Sequence, residues 1–147
     1  MSEPDVRVAV TEGERDDAFA VRKAVFVDEQ GVDEELEWDE HDDPDAEAVH
    51  FVASRGGDPV GAARLREYEP GVGKVERVAV LESARGEGWG RRLMDALEAE
   101  ARERGFDSLV LHGQTTAEGF YRGLGYETTS DEFDEAGIPH VEMRKSL

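Results

Sequence analysis

Apolar and polar positions alternate with a period of two over residues 6–11, the pattern of a half-buried strand. Over residues 14–27 the period changes. Ala18, Val21 and Val25 fall at i, i+3 and i+7, which predicts a helix with one apolar stripe. Residues 28–47 are acidic and aperiodic, and predict a loop holding a short helix. Residues 50–54 and 60–68 predict strands. Arg55-Gly56-Gly57-Asp58-Pro59 between them is turn chemistry, so the two should form a hairpin. A second turn over 69–73 precedes a strand over 74–81. Leu93, Leu97 and Ala101 mark the core stripe of a helix over 88–104, and Gly105 is a natural stop. Residues 108–112 predict a short strand, and 117–124 a short helix ended by Gly125. The tail, 126–145, carries two strand-like segments around a turn at 135–139. Strand and helix alternate in the manner of an α/β or α+β domain.

The chain has 147 residues, 38% of them hydrophobic, which is the length and content of one domain over 1–147 with its own core. There is no cysteine, which excludes a disulfide framework and cysteine-based zinc sites. Residues 1–10 contain no apolar signal core, and no stretch has the roughly 18 apolar residues of a membrane span, so a cytoplasmic location is expected. Charge changes the picture more. Asp and Glu number 36 against 17 Lys and Arg, a formal net charge of −19, and only Lys23, Lys74 and Lys145 are lysines. A nucleic-acid partner is disfavoured, because a phosphate backbone needs a basic footprint. The apolar periodicity argues against disorder. An acid-rich, lysine-poor surface resembles that of proteins from salt-accumulating organisms, where a Debye length of about 3 Å at 1 M salt leaves like charges little repulsion.

The candidate chemistry lies where Arg77-Val78-Ala79-Val80-Leu81 leads through Arg85-Gly86-Glu87-Gly88-Trp89-Gly90-Arg91-Arg92 into a helix. A glycine-rich turn at a helix start leaves amides unpaired, and with the helix dipole these make a phosphate site. Arg85, Arg91 and Arg92 add positive charge in a chain of net charge −19. A P-loop is excluded because no lysine follows the glycines. The Rossmann fingerprint fails because Arg91 stands at its third glycine position. No His-Glu-x-x-His or similar spacing occurs: His41 stands beside Asp42 and Asp43, and His50 and His112 are isolated, so no metal is expected.

Arg85-x-x-Gly88-x-Gly90 after Arg-Val-Ala-Val resembles the coenzyme A pyrophosphate loop of the GNAT acetyltransferase superfamily. Phe120-Tyr121-Arg122-Gly123-Leu124-Gly125-Tyr126 resembles that superfamily's second recurring segment, at a similar spacing. Residues 21–30, the acidic run to Asp43, and Gly137-Ile138-Pro139-His140-Val141-Glu142-Met143 are similar to the ElaA-like branch. The resemblance implies a mixed, mostly antiparallel sheet of six to seven strands flanked by about four helices and splayed at the cofactor site.

It also implies acetyl-CoA as co-substrate and a small-molecule amine or amino terminus as acceptor, joined by direct attack in a ternary complex. Val78, Ala79 and Val80 would pair with the pantetheine arm, the Val80 amide facing the thioester carbonyl. Arg85, Gly86, Glu87, Gly88, Trp89, Gly90 and Arg91 would hold the pyrophosphate. Tyr121 matches the family tyrosine near the sulfur, as acid to the departing thiolate. Glu76 is a candidate base, as glutamates on this strand are in related enzymes. Glu29 and Gln30 fall where the family forms its acceptor site, and His140 is on a late strand that would face it, with an imidazole suited to base chemistry at neutral pH. Use of a longer acyl-CoA, or CoA binding without turnover, fits the same loop, and a homodimer is left open.

Overall fold

The computed structural model describes residues 5–147; residues 1–4 of the expected 1–147 domain lie outside them. β1 (Val6–Val8) leads into α1 (Glu12–Arg22). The expected strand ends early because Thr11 is used as a helix cap. Its hydroxyl accepts from the Glu14 amide, and the Glu14 carboxylate accepts from the Thr11 amide. The helix does not run on regularly to residue 27. Lys23–Glu29 form a wider π-helical turn, with the Gln30 amide donating to the Val25 carbonyl. The acidic stretch holds α2 (Glu34–Glu37), as expected.

β2 (Val49–Arg55) and β3 (Asp58–Glu69) form the hairpin expected of Gly56 and Gly57, whose φ values of 59° and 91° suit a two-residue turn. Then come β4 (Val72–Val80), α3 (Trp89–Glu103), β5 (Ser108–Gln114) and α4 (Glu118–Gly123), followed by β6 (Glu127–Thr128), β7 (Phe133–Glu135) and β8 (Ile138–Ser146).

One sheet runs in the order β1-β2-β3-β4-β5-β8-β6, with β7 also paired to β8. Only β4 and β5 are parallel. The described residues thus give eight strands where six or seven were expected, because the tail folds into three strands instead of two. Successive side chains of a strand point to opposite faces, and the core divides accordingly. Phe51, Leu65, Val75, Leu109 and Met143 pack under Leu93, Leu97 and Ala101 of α3 and Tyr121 of α4. Val52, Ala62 and Ala79 pack on the other face against Ala18 and Val21 of α1 and Val25.

Candidate active site

β4 and β5 pair from Val72–Ser108 to Val75–Leu111 and no further. Beyond that point β4 keeps only β3 and β5 keeps only β8, so the sheet opens between Glu76 and His112. A bulge in β4 coincides with the opening. Arg64 opposes Glu76 and Ala62 opposes Ala79, so Arg77 and Val78 together face Ala63. Arg77 takes φ 58°, which a non-glycine residue adopts only under constraint. The constraint is its guanidinium, which donates to the Glu37 carbonyl at 3.1 Å and lies 3.4 Å from the carboxylates of Glu37 and Asp39.

The backbone facing the gap follows from hydrogen-bond alternation. The Leu81 amide donates to the Val60 carbonyl, so the adjacent Val80–Gly61 pair is not hydrogen-bonded. Val80 therefore presents its N–H and C=O to the gap. Arg85 Nε donates to that carbonyl at 3.1 Å.

The gap forms a cleft of about 710 Å³, lined by Val78, Ala79, Val80, Arg85 and Tyr121, and by Glu29, Gln30, Glu76 and His140. Every proposed acceptor residue thus meets the proposed thioester end in one cavity. Gly86 to Arg91 lie outside this lining. Gly86 and Gly88 adopt φ of 82° and 87°, and Gly88 starts α3 with no side-chain cap, leaving the first-turn amides open. Two members of the loop have other occupations. Trp89 is buried in the core, so only its backbone is available to a ligand. The Glu87 carboxylate accepts from Trp89 Nε1 and from Arg55.

The two faces of the sheet bring different groups to the cleft. Cross-strand partners share a face, so His112, Gln114, His140 and Glu142 all lie on the α1 side. Tyr121 lies on the opposite side. A Cβ on Gly113 would sit 3.2 Å from its ring, so glycine there admits the phenol against β5. Burial raises the Tyr121 pKa far above neutrality, keeping the hydroxyl protonated.

Glu76 reaches the cleft, but as an ion-pair anchor. Its carboxylate meets Arg64 at 2.8 Å, Arg66 at 2.9 Å and Lys74 at 3.4 Å. Burial works to raise its pKa, but Arg64 and Arg66, with Lys74, hold it down at about 2. Arg64 is fully buried and also binds Asp39 and Asp42; Arg22, equally buried, binds Asp42 and Glu37. These forks pin the acidic stretch onto the sheet as a wall of the cleft. Glu29 pairs with Arg85 through two contacts of 2.7 Å, its pKa lowered by that bond. Gln30 exchanges a hydrogen bond of 2.8 Å with Gln114 across the opening.

The sequence pattern missed Arg77, Gln114, His112 and Glu135, all of which line the cleft. His112 reads as isolated along the chain, yet strand pairing sets it near His140. Its Nδ1 lies 2.9 Å from Glu135 Oε1, and His140 Nε2 lies 3.7 Å from Glu135 Oε2. Parity on β5 and β8 is the one signal that would have joined them. Among the described residues no group of three or more His, Cys, Asp or Glu side chains is arranged to hold a metal ion, and no helix is long and apolar enough to cross a membrane.

The model of the acetyltransferase (GNAT) domain matches residues 10–147, so this chain belongs to the GNAT acetyltransferase family. It is 45% identical over 139 residues to the uncharacterized N-acetyltransferase YjcF of Bacillus subtilis, covering 94% of this chain and 96% of that protein. Among solved structures, an acyl-CoA N-acyltransferase from Pseudomonas aeruginosa superposes with a TM-score of 0.82 at 27% identity, covering 95% and 96% of the two chains. Escherichia coli ElaA shares the fold with a TM-score of 0.83 at 23% identity, over 95% and 97%.

Proposed function

We propose that residues 1–147 form a single catalytic domain, akin to the ElaA-like branch, that transfers the acetyl group of acetyl-CoA to a primary amine of a small molecule or an amino terminus. The observation that carries this reading is the parting of β4 from β5 beside an uncapped glycine-rich helix start. The opening offers strand backbone and a buried phenol, and the helix amides follow Arg85 beyond its lining, where an extended ligand would reach them.

The residues present fit coenzyme A. The amides of Gly86 to Arg91, with Arg85 and Arg91, would take the pyrophosphate. Val78 to Val80 would pair with the pantetheine arm, and the Val80 amide would stabilise the carbonyl oxygen as charge develops. Tyr121 would donate to the departing thiolate. Because Arg85 is tied to Glu29 and Val80 O, its turn toward a pyrophosphate would free both the strand carbonyl and a carboxylate at the acceptor side. Glu76, with a pKa of about 2 and three cations around it, serves this chemistry as a structural anion, because a base so weak takes little of an amine's proton.

The acceptor enters on the α1 face, past Glu29 and Gln30. The net charge of −19 suits a salt-rich cytoplasm, which we take as the setting. Calorimetric titration in 1 M salt with acetyl-CoA, free CoA and a longer acyl-CoA tests the reading. Micromolar binding of acetyl-CoA supports it; a folded protein that binds none of the three refutes it.

A further inference from the structure

We infer that His112 is the general base for the acceptor amine and that Glu135 is its positioning residue; this inference rests on the acetyl-transfer reading above. A carboxylate only accepts hydrogen bonds, so the 2.9 Å contact between Glu135 and His112 fixes the proton of the neutral ring on Nδ1. The lone pair is then on Nε2. That is the arrangement by which a carboxylate orients a catalytic imidazole. The Glu135 carboxyl is held below the usual range, first by its bond to His112, so the carboxylate stays charged.

The surroundings fit the same role. His112 stands where the sheet opens, on the α1 face, and lines the same cleft as Tyr121, which packs on the other face of β5. Phe133 packs edge-on against its ring at 5.1 Å. His140 is turned the same way, its Nδ1 donating to the Ile138 carbonyl at 2.7 Å, which leaves its Nε2 toward Glu135. Opposite stands Glu76, whose charge is neutralised by Arg64, Arg66 and Lys74. Of the two groups flanking the opening, the imidazole has a basic atom that makes no hydrogen bond, the nearest carboxylate being Glu142 at 4.0 Å.

The step balances. The unprotonated amine attacks the thioester carbonyl; the C–N bond forms and the C–S bond breaks. The nitrogen loses one proton, to His112 Nε2, as the thiolate takes the proton of Tyr121. Solvent then removes the proton from the imidazolium and returns one to the phenolate.

The test compares the wild type with His112→Gln and Glu135→Gln, by CoA release from acetyl-CoA. The acceptors are phenethylamine, putrescine or glycinamide, whichever is turned over fastest, and separately hydroxylamine, whose less basic nitrogen gives up its proton more readily once it has attacked and so depends less on a base. Acetyl-CoA binding is measured by calorimetry in parallel. For His112→Gln we expect kcat/KM with the ordinary amine to fall by about 100-fold or more, and with hydroxylamine by less than about 10-fold, with acetyl-CoA affinity kept.

For Glu135→Gln we expect a lower kcat at unchanged acetyl-CoA KM. The charged groups facing His112 are Glu135 on β7, Glu142 (4.0 Å from Nε2) and His140 on β8, and Lys74 and Glu76 on β4. Unchanged turnover in His112→Gln, or equal losses with both nucleophiles, overturns the inference while the enzyme reading stands. A wild type that binds no acetyl-CoA overturns both.

Discussion

Replacing Glu76 by Gln separates the structural anion from the catalytic base. Gln imitates the protonated carboxyl, so its cost in stability at pH 7 approximates the cost of protonating Glu76 in the folded chain less that in the unfolded chain. The group falls from 4.5 to about 2 on folding, and one pKa unit is about 1.4 kcal/mol, which gives about 3 kcal/mol. The sign follows from the direction. A depressed carboxylate contributes fully above its unfolded value of 4.5, and that contribution disappears as pH falls through about 2. The variant should therefore be less stable by about 3 kcal/mol at pH 7 and draw level with the wild type near pH 2.

Other groups titrate in the same range. Burial works to raise Asp42, but Arg22, with Arg64, holds it down at about 2; Asp39 falls too, Glu37 is raised by burial, and His50 is lowered by burial. Their contributions are common to both proteins and largely cancel in the difference. Urea unfolding from pH 7 to 2.5 in 1 M NaCl reads it, the salt screening the change in net charge. With m about 2 kcal/mol/M, the midpoint at pH 7 should drop by about 1.5 M. A deficit below about 1 kcal/mol at pH 7, or one that persists undiminished at pH 2.5, would show that the three cations do not hold Glu76 as described. Turnover per folded molecule should change little; a loss of about 100-fold would restore Glu76 as the base.

Tyr121→Phe should lower kcat by about 100-fold with acetyl-CoA affinity unchanged, and an unaltered kcat would reduce the phenol to packing. Gly88→Ala places a Cβ at φ 87° with nothing within 4 Å of it, so stability should fall by only about 1–2 kcal/mol. Acetyl-CoA binding by calorimetry should weaken far more, and retained affinity would remove the loop from the site. Transfer from 1 M to 0.05 M NaCl should lower the melting temperature, because −19 charges are then screened over a longer distance; a melting temperature indifferent to salt would sink the salt-adaptation reading.

What the sequence made legible was whatever a local period or a turn dictates. The α3 stripe of Leu93, Leu97 and Ala101, the Gly56-Gly57 hairpin and the glycine-rich start of α3 all appear where the pattern puts them. What stayed hidden depends on pairing between distant segments. The bulge at Arg77 is invisible locally, since nothing about an arginine announces φ 58°; only the carbonyl and carboxylates of α2 and Asp39 hold it there. His112 and Glu135 meet because β5 pairs with β8 and β7 folds back on β8. Glu76 was legible as a position on β4 but not in its chemistry, because Arg64 and Arg66 reach it through the β3–β4 pairing.

The same pairing revises the reading of charge. A shortage of lysine and a surplus of acid look like one trait in the sequence, but the fold separates them. Arg22, Arg64 and Arg77 each bridge two or more acceptors of residues 37–42 or β4, as planar forks reaching separate groups at once. An ammonium is a compact point charge on a flexible stem and cannot span them. Arginine at these positions is required by the geometry of the cleft wall in any salt. Six of the carboxylates, Glu29, Glu37, Asp39, Asp42, Glu76 and Glu135, are likewise engaged in or beside the cleft. The salt-adaptation reading therefore rests on the acids that remain on the exposed surface, such as Glu12, Asp16 and Asp17 of α1. Neutralising those three should reduce the salt dependence of the melting temperature without disturbing acetyl-CoA binding, whereas Arg64→Lys should lower stability at every salt concentration. If Arg64→Lys instead proves harmful only in low salt, the fork is not what the site requires.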